Sequence, residues 1–559
     1  MSRRSSLAAL LLLLTYLSIG LATPALAQQP GQSILLRNVV LIGQGADKKP
    51  VRINILVKDK LLDIMTEDPI SFDNADETYD AAGGVVLGKL KLGQPATFLI
   101  LDEDPRTNVD VLLDTKTHAT FAIRRGEVLK NTYVMVFSET PAEKARSDQG
   151  WLAYASPPLA IPLDYGDDSK WNKAEGKYVS GLLAGAVVLD RQQWVGQDDD
   201  SEFQVGDLAD FDGGEIRALR VGGVGTINFD RPWVWVAFGA THAFDKGFDS
   251  EESDDFTMFD LRLDIPLWDK ASFSVGKQKE PISMERIMSM IELPQQERAA
   301  VSDALLPSRN VGIVMAGTLF NDRATLAGGA FNNWLDKDQP NSFSENSTQF
   351  VGRGTWLPYI SDNESSLLHL GIGLRHSDTE EGTLGKTSPE FNSAPDYVET
   401  PFMQTENSMS YQAEASVRSG PFWLHGEYIH TDIDAPVYGD PSYDGYHVTA
   451  SWILTGEVRP YNRRVGIFDG IPVARDVNQN GWGAWEISTR FSHVDLSDGL
   501  QLDGSAADGG EMDIWSAGLN WWLTPLMQFG ANYRYITLDR YGVEGASQGI
   551  NARLLMLLE

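Results

Sequence analysis

Cysteine is absent from the 559 residues, so no disulfide staples the fold, and thiolate metal sites and thiol nucleophiles are excluded. Positive charge is scarce: 46 Lys and Arg stand against 78 Asp and Glu, a net charge of −32. A chain this acidic repels phosphate backbones, which excludes nucleic acid as a partner. Beyond the N-terminus no apolar run reaches the roughly 18 residues that a membrane-crossing helix needs. Histidine is rare, 8 in all (His118, His242, His369, His376, His425, His430, His447 and His493), and no two are spaced His-x-His. No Gly-rich phosphate loop and no Gly-x-Ser-x-Gly elbow is present. No catalytic residue, metal site or cofactor is expected, and the chain does not read as an enzyme.

The N-terminus carries an address. Arg3 and Arg4 precede an apolar stretch over 7–22, and Ala-Leu-Ala ends at Ala27. A basic start, a short apolar core and small residues before a cut are the parts of a secretory signal peptide, expected over 1–27. The acids are bunched, as in "DDDSE" (198–202) and "DSEESDD" (249–255). Such runs read as solvated loops, and their recurrence between ordered segments is the informative part.

From about residue 180 the pattern has period two. In "WEISTRFS" (485–492) Trp485, Ile487 and Phe491 share one face, and Glu486, Ser488, Arg490 and Ser492 the other; "MQFGANYR" (527–534) repeats it. Alternation of this kind is a strand signal, and about sixteen such segments follow one another to the end of the chain. Tight turns such as 230–233, 321–323, 419–421 and 524–526 alternate with long acidic or Gly-rich connections. Short turns on one rim, long loops on the other and an even strand number are the layout of an antiparallel outer-membrane β-barrel. Trp233, Trp235, Trp356, Trp452, Trp515, Trp521, Trp522, Tyr533 and Tyr535 fall near strand ends, where an interfacial aromatic girdle belongs.

Three segments carry a family resemblance: "GKQKEPISMERI" (276–287), "LLPSRNVGI" (305–313) and "SWILTGEVRPYNRRVGIFDGIPVARDVNQNGWGAWEISTRFSHVDL" (451–496). Together they resemble the phosphate-selective porin O and P family over about 175–559. The resemblance implies a sixteen-stranded diffusion channel of a Gram-negative outer membrane, commonly a homotrimer among lipids and lipopolysaccharide, that passes small solutes, phosphate or other anions among them. It also implies that the loop after Pro281 folds inward and narrows the pore. The chain ends "NARLLMLLE", whereas barrels of this kind usually close on an aromatic residue.

Residues 282–309 mix apolar and charged side chains without alternation, and "SMERIMSMIEL" has helical spacing. An excursion of this length in a compact barrel is functional or disordered, and its hydrophobicity argues against disorder. Met284, Ile287, Met288, Met290 and Ile291 are expected to anchor it, with Glu285, Arg286 and Arg309 among its charged residues. Arg220, Arg262, Arg353, Arg375, Arg418, Arg490 and Arg534 fall on the polar faces of strands and are candidate pore-lining cations for anions. Asp260, Asp264, Glu414, Glu427 and Glu486 occupy the same faces, so cross-strand pairing that only hydrates the wall stays open. Lys277 and Lys279, at the loop entrance, are the candidate constriction cations.

The first 137 residues are different in kind. Residues 34–65 and 92–128 resemble the opening and closing β-segments that flank the catalytic barrel of metal-dependent amidohydrolases. In "GGVVLGKLKLGQPATFLILDEDP" (83–105) the two halves meet directly, with no histidine between them. The resemblance implies a small β-sandwich over 30–137 that has lost the barrel and its metal ligands. A polar stretch over 138–174 reads as a linker, and the porin-like barrel takes 175–559. The competing functions are a secreted metal-dependent hydrolase of the amidohydrolase type, a general or cation-preferring porin, and a barrel that does not conduct.

Overall fold

A computed structural model describes residues 33–42, 50–66, 75, 77–81, 83–88, 90–133, 172–241, 257–268, 270–332, 348–361, 364–378, 385–479 and 481–558. The expected signal peptide and most of the expected linker lie outside these residues. The chain divides into two compact units, residues 1–138 and 139–559.

The first unit is one eight-stranded sheet. Its two halves join where Ser33–Leu41 runs parallel to Val85–Gly88, with Val40 opposite Val85 and Leu41 opposite Val86. Antiparallel hairpins extend it on both sides, Val51–Lys58 with Leu61–Thr66 and Ala119–Arg124 with Glu127–Asn131. The sheet curls until the edge strand Leu61–Thr66 meets the residues before Phe98–Leu101, where the Leu62 amide donates to the Gln94 carbonyl at 2.9 Å and the Ala96 amide to the Lys60 carbonyl at 3.0 Å. Its inner face buries Ile34, Leu36, Ile55, Val57, Ile100, Phe121 and Ile123. The expected small N-terminal β-domain is thus present, built from one sheet folded over one core.

The second unit is a closed antiparallel barrel of sixteen strands. They run from Val179–Gln197 to Val543–Leu558, and these two pair with each other, Gly185 opposite Leu558. The last strand is thus a full member of the wall. A three-residue strand, Lys173–Glu175, pairs onto the start of the first. The strand Ser366–Asp378 shows how the wall is built. Leu370, Ile372 and Leu374 are 39–64 % exposed, whereas His369 and Arg375, on the alternate face, are at most 1 % exposed. A soluble protein hides its apolar residues; this wall displays them and hides its charges, the distribution that lipid outside and a polar interior select. Trp356, Trp452 and Trp515 stand on the exposed face as expected, but Trp522 is buried inside.

Most connections alternate as the sequence suggested, from two residues, as between Ser419 and Phe422, to the 31-residue span 279–309 between Gln278 and Asn310. One does not. Residues 454–483 join Ile453 to Ala484 on the rim of the tight turns, where a few residues would suffice.

Candidate functional site

The barrel interior is filled from both rims. From the long-loop rim, residues 279–309 enter, with nearly every residue buried. The expected helix is shorter than its spacing suggested: Met284–Ile287 is one turn, capped by the Ser283 side chain, followed by a 3-10 turn Met290–Glu292 and a second helix Ala300–Leu305. Its apolar anchors divide between two sites. Met284, Ile287 and Met288 pack with Leu357, Leu367 and Trp423, whereas Met290 and Ile291 pack with Val188, Ala218 and Leu555. From the turn rim, residues 454–483 rise to meet them, placing Tyr461, Val465, Ile467 and Phe468 in the cluster that holds Met284. Two wall glycines admit the loop: a Cβ on Gly373 would lie 2.3 Å from the Ile282 carbonyl oxygen, and one on Gly445 would lie 2.7 Å from Val301 Cγ2.

Charge fixes the loop at two corners. Glu285 accepts from Ser302 Oγ at 2.6 Å and pairs with Arg490 at 3.2 Å. Burial would raise its pKa, but His447, Arg490, the Ser302 hydroxyl and Arg298 outweigh it and hold the carboxyl at about 2. Glu297 sits between Arg217 at 2.9 Å and Arg553 at 2.5 Å, and Arg553 also holds Asp190 at 2.6 Å. Here too burial is outweighed by the two guanidiniums, and the pKa falls to about 2.

A family model, "Phosphate-selective porin O and P", matches residues 191–555. The chain belongs to that family. Porin O of Pseudomonas aeruginosa is 23 % identical over 234 residues, 36 % of this chain, and the match spans about half of that relative, 51 %. Among solved structures the fold is similar to an anion-selective porin from Comamonas acidovorans (12 % identity, TM-score 0.42), covering 68 % of this chain and 100 % of that one. It is also similar to the outer membrane channel DcaP of Acinetobacter baumannii (9 % identity, TM-score 0.44), covering 69 % of this chain and 99 % of that one.

All seven candidate arginines of this porin-family barrel point inward and are at most 7 % exposed. They do not form an open ladder. Arg220 pairs with Asp260 at 3.1 Å, and Arg262 with Asp264 at 3.0 Å. Arg353 pairs with Glu414 at 2.5 Å and also donates to the carbonyls of Val465 and Gly466. Arg375 pairs with Glu280 at 2.7 Å, Arg418 donates to the Arg459 carbonyl at 2.6 Å, and Arg490 pairs with Glu285 and Glu390. Several partners therefore come from the inserted segments rather than from the neighbouring strand.

Arg534 differs. It is 0 % exposed, none of its three guanidinium nitrogens has a hydrogen bond, and its nearest carboxylate, Glu390, is 3.8 Å away. One face lies over the Phe391 ring at 4.4 Å.

The remaining candidates need correction. Lys277 lies opposite Leu261 and shares the outward face of its strand with Val275, so it does not line the pore. Lys279 is buried and donates to the carbonyls of Ile287 and Met288 at 3.3 and 2.9 Å. Arg286 donates to the Ser302 carbonyl and pairs with Asp303, bracing its own loop instead of facing the channel. Arg309 pairs with Asp260 at 2.9 Å. Pro281 follows the last ladder pair, Gln278 with Asn310, by three residues.

Sequence reasoning missed Arg217, Arg459 and Arg553, the loop acids Glu280, Glu297 and Glu390, and the buried histidines. His369 lies 2.8 Å from Glu414 and 2.6 Å from the Tyr461 hydroxyl. Strand parity would have placed the wall members of this set. The length of 454–483, on a rim of tight turns, was the available signal for the second insertion.

Proposed function

We propose that this chain is a passive diffusion channel of a Gram-negative outer membrane, selective for small anions, phosphate among them. The closed wall, apolar outside and charged inside, supports a membrane channel over an enzyme. The observation that carries anion preference is Arg534: a fully buried guanidinium with no hydrogen bond on any nitrogen is a donor set short of its acceptors, and oxyanions supply them in pairs. Loop 279–309, together with 454–483, is the constriction. The N-terminal unit is a periplasmic domain, a remnant of the amidohydrolase β-domain; the short-turn rim, usually the periplasmic one, is where the first strand begins, which supports this reading. The channel works as a homotrimer among outer-membrane lipids and lipopolysaccharide.

The zero-current potential across a planar bilayer under a KCl gradient tests the anion reading. The wild-type channel is expected to favour chloride, and Arg534→Gln to move the potential toward potassium. A cation-selective wild type, or an Arg534→Gln channel with unchanged potential, contradicts it.

A further inference from the structure

Period two puts His425 and Glu427 on the inward face of Phe422–Asp434, and the register of Ser442–Ile453 sets His447 directly opposite Glu427. All three are buried, and one ligand atom from each lies within 4.8 Å of the others. No other such group occurs among the described residues. We propose that His425, Glu427 and His447 form a binding site for a divalent transition-metal ion, zinc foremost, between the barrel wall and the inserted loop.

The donor set fits that class. Two imidazoles and one carboxylate suit zinc and its neighbours, whereas magnesium and calcium take oxygen ligands. His447 supplies the second, independent sign. It is 1 % exposed and neither ring nitrogen has a hydrogen-bond partner, which is costly for a buried polar group. Its Nε2 faces Glu285 Oε2 of the loop at 3.7 Å. That gap is long for a hydrogen bond, yet it suits two groups that share an ion at about 2 Å from each. Glu285 is thus placed to complete a tetrahedral set.

The surroundings orient the ligands as metal sites require. His425 Nδ1 lies 2.6 Å from Ser416 Oγ, which turns Nε2 toward Glu427 at 3.1 Å. Glu427 accepts from Gln412 Nε2 at 3.0 Å and from the Glu285 amide at 2.7 Å. Trp423 stacks on the His425 ring, nearly parallel at 3°. Arg490 is the neighbouring cation, and Glu285 and Glu390 are its counter-charges. A bound ion joins two wall strands to the loop, so the metal fastens the constriction; binding itself does not depend on what the pore conducts.

Purified full-length protein in detergent, treated with chelator and then incubated with zinc chloride and dialysed, is assayed for metal per chain. Cobalt(II) replaces zinc in a parallel sample read by visible absorption. The wild type should retain one zinc per chain and give the strong ligand-field bands of tetrahedral cobalt. His447→Gln and His425→Gln should each weaken zinc binding at least about tenfold, while His430→Gln and His493→Gln, at half-exposed pairs with Asp432 and Asp513, should not. Failure of the wild type to retain zinc, or retention unchanged in both His447→Gln and His425→Gln, overturns the site. If those variants do not form heat-modifiable barrels, the cobalt spectrum of the wild type decides, and absence of the bands overturns it.

Discussion

A residue's face in this barrel is set by strand parity, and its partners are set by segments far away in sequence. The first is legible and the second is not. Alternation placed Arg220, Arg262, Arg353, Arg375, Arg418, Arg490 and Arg534 inside, where they are found. It gave no hint that Glu280 would meet Arg375, or that Glu285 and Glu390 would both meet Arg490, because those acids lie in stretches without a period. Lys277, expected at the loop entrance to face the pore, stands by strand parity with Val275, facing out. Lys277→Gln is therefore expected to leave the zero-current potential unchanged, and a shift toward cations of the size produced by Arg534→Gln would contradict its placement. Lys279→Gln shortens the reach to the Ile287 and Met288 carbonyls and leaves buried acceptors unmet, at a cost of roughly 1–3 kcal/mol. It should loosen the loop, read as noisier open-channel current with little change in selectivity.

Strands were easier to read than connections. The wall has as many strands as the sequence has alternating segments, and the least legible of them is the last, Val543–Leu558. Its opening "VEGASQG" is too small and too polar to show a period, and Gly545 is there because Ser201 passes against it, 2.3 Å from where a Cβ would sit. The inserted segments lack periodicity because each is wrapped by wall on several sides. Their attachment makes two predictions. Val301→Asp would put an unpaired carboxylate into the apolar cluster where Val301 meets Gly445 and lift the helix Ala300–Leu305 from the wall, so conductance should rise while the barrel remains heat-modifiable; an unchanged conductance would mean that the helix does not bound the path. Glu285 and Glu297 have pKa values lowered from 4.5 to about 2. A carboxylate depressed in the folded state contributes stability that is present above its unfolded pKa and lost as pH falls through the folded one. The loop should stay fastened from neutral pH down to about 4 and release as pH approaches 2, seen as a step in conductance. Release at pH 5–6 would assign the fastening to other groups.

At the scale of the molecule, the division into a barrel and a separate N-terminal unit follows the change in pattern along the chain, from a sheet folded over an apolar core to a wall with its apolar side out. The barrel closes through its own first and last strands, so deleting residues 30–137 while keeping residues 1–29 should still yield a heat-modifiable barrel in the outer membrane; its loss despite normal export would tie the units together. What the sequence could not convey is how full the interior is, since filling depends on three-dimensional proximity of 279–309, 454–483 and the wall. That fullness makes conduction itself the central claim to test. Single-channel recording in a planar bilayer, comparing the wild type with a variant lacking residues 284–304, tests it most directly. The account predicts small discrete steps for the wild type and steps several-fold larger for the deletion. Wild-type barrels that insert and give no steps, or steps of equal size in both proteins, would contradict it.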